Sequence, residues 1–191
     1  QEEFVAWTKE APELSNPALL AQCQKKKNPC MEQALLWSIH VNLAVKEPGM
    51  EQGAFYGVRE ALEKMSPKAD LAVVSSANAQ AVEEEWSKYE LKPYCKALLS
   101  QEAGNKAECI QKLSALGYPP EQILMVGDAM GDYEAAKKNG VWFYPIVVNN
   151  EKESWQQLQE EAYPKLLHGT FDREYQKELL DKFERGLQET L

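Results

Sequence analysis

The sequence predicts an α/β fold: a Rossmann-like parallel sheet wrapped by helices, with an α-helical lobe ahead of it. Three observations predict it. Short apolar runs, each the length of one strand, lie at Leu71–Val74, Cys95–Leu99, Ile123–Val126 and Val141–Ile146. Helix-length segments separate these runs, and that alternation builds a parallel sheet with helical crossovers. Residues 1–47, by contrast, read as helical throughout. The helical lobe is accordingly placed at 1–50, and the sheet-bearing core with its C-terminal helices at 51–191.

Each element has a local reason. Glu3–Lys9 is a short amphipathic helix. Asn16-Pro17 starts a second, with Asn as N-cap and Pro at the first helical position. Pro29 opens a third, through Leu35, Leu36, Trp37, Ile39, Leu43 and Val45 to Pro48-Gly49. It is apolar around most of its circumference, which predicts a central place in a small bundle. Val58, Leu62 and Met65 mark the next helix. Ala77–Tyr89 is helical, and Lys106–Leu116 is a helix closed by Gly117. Pro119-Pro120 turns the chain into the third apolar run. Asp132 then opens a helix that closes at Gly140, a natural left-handed terminus. Glu151–Leu191 is helix-rich and charged.

Composition excludes several function classes. The 191 residues carry a net charge of −9, and the one basic run, Lys25-Lys26-Lys27, reads as a solvated helix end. Nucleic acid is therefore not an expected partner. No apolar stretch approaches the length of a membrane span, so a membrane is not expected either. Cys23, Cys30, Cys95 and Cys109 form no CxxC pair, and His40 and His168 are too scattered for zinc. Reduced thiols and a cytoplasmic location are the expectation. The chain begins at Gln1, with neither an initiator Met nor a signal peptide, which raises the expectation of a segment upstream.

Three residue sets can carry chemistry. Asp128 follows the third apolar run and Gly127, where open α/β sheets hold ligands. Asp132 lies four residues on and can share a hard cation such as Mg²⁺ with it. The competing role for Asp132 is to cap its helix and complement the dipole. Ser75-Ser76 end the first run, where a hydroxyl beside a helix start can hold a phosphate oxygen, or can simply serve as N-cap. Lys106 begins a helix, where a cation opposes the dipole unless an anion is bound nearby; the alternative is a solvated lysine. Tyr56 and the five tryptophans read as packing, and Glu83-Glu84-Glu85 as a solvated helix face.

Taken in order, Leu71–Asn78 (LAVVSSAN), Gly104-Asn105-Lys106 and Gly127–Asp132 (GDAMGD) resemble the second, third and fourth motifs of the haloacid dehalogenase superfamily. The match covers about residues 54–150, and the helical residues 1–50 resemble that family's small helical cap. The resemblance implies a Mg²⁺-dependent phosphatase or phosphotransferase acting on a small phosphorylated metabolite through an aspartyl-phosphate. It implies that Ser75 contacts the phosphoryl group, with Ser76 as the register alternative and Asn78 beside them. Lys106 neutralises the phosphate and nucleophile oxygens, Asp128 holds Mg²⁺, and Asp132 assists directly or through water. A non-catalytic binding module is the alternative, and carbon–halogen hydrolysis a third.

One part of that pattern is missing. The family's nucleophile stands in an Asp-x-Asp on a central strand, and this sequence contains no Asp-x-Asp. In the family that strand lies between those read here at Leu71–Val74 and Ile123–Val126. The expectation is therefore that the strand and its nucleophile lie upstream of Gln1, and that these residues alone are inactive. Direct pairing of Leu71–Val74 with Ile123–Val126 would overturn it.

Overall fold

The four apolar runs form four short parallel strands in the computed structural model, which describes residues 2–11, 16–44 and 53–189. They are β1 (Leu71–Val74), β2 (Cys95–Leu99), β3 (Leu124–Gly127) and β4 (Trp142–Pro145). The chain divides into two compact units, Gln1–Gly53 and Ala54–Leu191.

In the first unit, α1 (Glu2–Glu10), α2 (Asn16–Lys25) and α3 (Pro29–Ala44) form in sequence order. Asn28 caps α3 by accepting from the Cys30 and Met31 amides at 3.0 and 3.3 Å, ahead of Pro29. Its own amide group and the Lys26 ammonium hold the Glu3 carboxylate at 2.7 and 2.6 Å. Leu19, Met31 and Leu35 are buried, with Phe4, Trp7, Cys23 and Ala34 against them. The central position expected of α3 is not found. Leu36, Trp37 and Leu43 are 56%, 68% and 60% exposed, so Trp37 is not packing either. Two short helices supply too little surface to cover a helix that is apolar all round. The end expected at Val45–Gly49 lies outside the described residues.

The second unit begins with α4 (Val58–Met65), which buries Val58, Ala61, Leu62 and Met65, one stripe at helical spacing. Gly57 precedes it at φ 89°, where Trp155 leaves little room for a Cβ. α5 (Ala79–Lys88), α6 (Lys106–Ser114) and α7 (Met130–Asn139) follow β1, β2 and β3. α7 starts two residues before Asp132, and Gly140 closes it at φ 67°. The C-terminal part comprises α8 (Glu151–Gln157), a π-helical turn at Leu158–Ala162, α9 (Tyr163–Leu167) and α10 (Arg173–Glu189). Tyr56 is 71% exposed, with the Lys152 ammonium over its ring, and does not pack in the core.

The sheet separates two cores because side chains alternate across strands. Leu124, Val126 and Tyr144 face Val58, Leu158, Ala162 and Tyr163. Met125 and Phe143 face Ile110, Ala136 and Phe183. Burying these apolar faces is the main force assembling the unit.

β1 pairs with β2 and β3 with β4, both parallel, and β1 is not hydrogen-bonded to β3. Ser75 N–H donates to the Leu99 carbonyl and Trp142 N–H to the Ile123 carbonyl. Strand alternation therefore turns the amides of Ala72 and Val74, and of Leu124 and Val126, away from their partner strands. The far side of β4 is closed by Gln176, whose side-chain oxygen accepts from Phe143 N–H at 2.8 Å. α6 lies on β1 and packs against α7, which lies on β3. Leu71 and Leu124 lean on the same core. The two strand pairs are thus neighbours with a seam between β1 and β3. Leu71, Val73 and Val74 and all of β3 are only half-buried, although β4 is buried from Phe143 to Pro145.

Phe183 is fully buried and its ring lies 5.9 Å from that of Phe143. Phe183→Ala should cost about 3–5 kcal/mol of stability by transfer and cavity terms. Urea unfolding measures it, and a loss below about 1 kcal/mol would contradict the packing described.

Candidate functional site

Lys106 is delivered by the capping of α6. Asn105 accepts from the Glu108 amide and Glu108 accepts from the Asn105 amide, both at 3.0 Å, a reciprocal box that fixes the first turn. From that turn the Lys106 ammonium reaches Asp132 Oδ1 in an ion pair. The lysine side chain is 28% exposed and the aspartate 2%. Burial of the pair makes each charge dependent on the other, and removal of one partner typically costs 3–5 kcal/mol.

Asp132 stands in the first turn of α7 rather than at its cap, because its Oδ2 reaches back to the Ala129 amide at 3.2 Å. The carboxylate lies over Gly127. A Cβ at Gly127 would come within 2.4 Å of Asp132 Oδ2, so only glycine fits at the end of β3. Asp128, the next residue, is exposed and makes no hydrogen bond or ion pair with any described residue. Lys106 therefore turns to Asp132, not to Asp128.

The remaining residues at the strand ends do other work. Ser75 accepts from the Ala77 amide at 3.1 Å, a local turn. Ser76 is exposed. Neither is the cap of α5; that is Asn78, whose side-chain oxygen accepts from Ala81 N–H at 2.9 Å. Ser75, Ser76 and Asn78 form no hydrogen bond with Lys106, Asp128 or Asp132. Glu102, which sequence reasoning missed, accepts from the Ala79 amide at 3.1 Å and from the Ser100 hydroxyl at 2.6 Å. It occupies the start of α5, where helix amides are otherwise open to an anion. Gln101 N–H donates to the Ala77 carbonyl at 2.9 Å, so the loops after β1 and β2 are tied together. Nothing in the spacing of Glu102 signals this contact, since it crosses between loops. The capping box at Asn105 and Glu108 was legible in the sequence as Asn-x-x-Glu.

Cys23, Cys95 and Cys109 are not activated nucleophiles. Burial pushes the Cys95 thiol up to about 11 and raises Cys109 and Cys23, the reverse of what reactivity needs. A cation is a different matter. Among the described residues, no three His, Cys, Asp or Glu side chains gather to hold a metal unaided. Mg²⁺, however, takes one or two carboxylates and completes its shell with water and phosphate oxygens. The free, exposed carboxylate of Asp128 at a strand end fits that requirement.

Short parallel strands wrapped by helices, with Lys106 and Asp132 in the first turns of α6 and α7 and Asp128 just after β3, define an α/β protein. The haloacid dehalogenase-like hydrolase family model matches residues 15–146. The chain belongs to the haloacid dehalogenase-like hydrolases. No curated protein and no solved structure matches it.

Glu102 supplies a pH test. The Ser100 hydroxyl, and then backbone amides, hold its carboxyl below the 4.5 of an unperturbed glutamate. A depressed folded value stabilises the protein fully above pH 4.5, and the contribution disappears as pH falls through the lower folded value. The urea midpoint of Glu102→Gln should lie below that of the wild type at neutral pH, with the gap closing in acid. A gap that stays constant into acid would contradict the assignment.

Proposed function

We propose that the protein is a Mg²⁺-dependent phosphatase or phosphotransferase-type hydrolase acting on a small phosphorylated metabolite. The observation that carries the reading is the ammonium of Lys106, fixed by the buried Asp132 at the start of the helix that follows β3, together with the exposed carboxylate of Asp128 at the end of that strand. Phosphoryl transfer is mostly a problem of positioning and of neutralising charge on the transferring oxygens. Lys106 supplies one positive charge from a half-buried position, where solvent screening is reduced. Asp128 would hold Mg²⁺, which supplies a second positive charge to the phosphoryl group when bound. Ser75 and Ser76, on the neighbouring loop, are proposed to contact the same group, with Asn78 beside them; Ser75 would have to exchange its bond to the Ala77 amide for one to phosphate.

The nucleophile of the proposed aspartyl-phosphate is not among the described residues. The seam between β1 and β3 supports its source: a strand entering there would find the outward amides of Ala72, Val74, Leu124 and Val126, and would end beside Asp128. The helical unit 1–50 is proposed to act as the cap that shields the reaction and selects the substrate.

A second reading, a non-catalytic binding module, is favoured by two contacts. Glu102 already occupies the start of α5, and Ser75 is engaged by its own loop. Turnover separates the two. With the strand-bearing segment present, Asp128→Ala should lower Mg²⁺-dependent hydrolysis of p-nitrophenyl phosphate by about 100-fold or more. Unchanged turnover in that variant removes the metal role of Asp128. These 191 residues alone are expected to be inactive, and Mg²⁺-dependent turnover by them would refute the proposed origin of the nucleophile.

A further inference from the structure

We infer that Asp132 is a positioning residue for Lys106 and not a ligand of the cation. Both of its oxygens are engaged: Oδ1 by the Lys106 ammonium and Oδ2 by the Ala129 amide. It is 2% exposed, and Mg²⁺ dehydrates reluctantly and keeps several waters. A site without access to water cannot admit such an ion. A cation on Oδ1 would also meet the ammonium already there, a repulsion that low local polarity strengthens. Asp128 has neither obstacle.

The lysine is held at both ends. Asn139, at the end of α7, donates to the Ala107 carbonyl at 3.0 Å and to the Ala135 carbonyl at 2.9 Å. That fixes the first turn of α6 against α7, and Asp132 fixes the far end of the Lys106 side chain. The two acids of the GDAMGD segment thus divide the labour: Asp128 is left for the cation, and Asp132 holds the protein's own positive charge in place. Gly127 belongs to the same device, because its missing Cβ is what admits the Asp132 carboxylate. The functional half of this inference rests on the phosphoryl-transfer reading; the pairing itself does not.

The test is limited lysine acetylation of the folded chain with an acylating ester, quantified by peptide mass spectrometry. In the wild type Lys106 should be modified about 10-fold more slowly than the exposed Lys138, because a charge-assisted bond to a buried carboxylate withholds its nitrogen. In Asp132→Asn that protection should fall to about 2-fold or less, with the loss of the charged acceptor. Gly127→Ala, which displaces the carboxylate but keeps the residue, serves as the second variant and should deprotect Lys106 in the same way. A cooperative melting transition is required of each variant scored. A wild-type Lys106 as reactive as Lys138, or protection undiminished in a folded variant, overturns the pairing. In the turnover assay, adding Asp132→Asn to Lys106→Ala should cost no more than Lys106→Ala alone. An independent further loss, with Mg²⁺ affinity falling as in Asp128→Ala, would make Asp132 a ligand. Absence of turnover in the wild type defeats the phosphatase reading while the labelling still decides the pairing.

Discussion

The ammonium of Lys106 and the carboxylate of Asp132 meet between the first turns of α6 and α7, over Gly127, and the buried acid depends on the lysine for its charge. α6 follows β2 and α7 follows β3, so the pair links a helix that follows one strand pair to a helix that follows a strand of the other. Much else can be read as support for it. The Asn105–Glu108 box fixes the residue before Lys106, Gly127 clears space for the acid, and Asn139 ties the helices. The energy spent on this contact is not what holds the fold together, since apolar burial around Phe143, Phe183 and Leu158 does that. It sets where a positive charge stands.

The seam between β1 and β3 follows from the same sequence. Central strands of parallel sheets are apolar on both faces because helices cover both. β1 and β3 have that composition, yet their side chains are half-buried. Their sequence is that of interior strands, while their pairing here is that of edges. Edges of this kind are templates for another strand. The helices α6 and α7 span one face, and the core around Val58 and Leu158 covers the other. What the seam lacks is backbone to pair with, not a surface to pack on.

Most of the second unit was legible in the sequence. Each strand was marked by an apolar run, and the starts and ends of the helices by Asn, Pro and Gly. The errors have physical causes. Helix α7 starts at Met130 because the Asp132 carboxylate reaches back to an amide outside the first turn, a contact between residues that spacing alone does not order. The surface of α3 misled because apolar periodicity reports what a helix could bury, not whether a neighbour exists to bury it. At the site, the family motifs singled out Lys106, Asp128 and Asp132, but not which acid takes the lysine. That choice depends on the missing Cβ of Gly127 and on burial, both properties of the folded backbone. Glu102 was invisible for the same reason: it binds across two loops that only the β1–β2 pairing brings together.

The central claim, that the sheet is open between β1 and β3, is tested most directly by residue-resolved amide hydrogen exchange on this chain. Amides facing a partner strand should be protected and those facing the seam should not. Val73 and Met125 should therefore exchange slowly, and their neighbours Val74, Leu124 and Val126 rapidly. Uniformly slow exchange along β1 and β3 would mean that both edges are already paired, leaving no opening for a further strand.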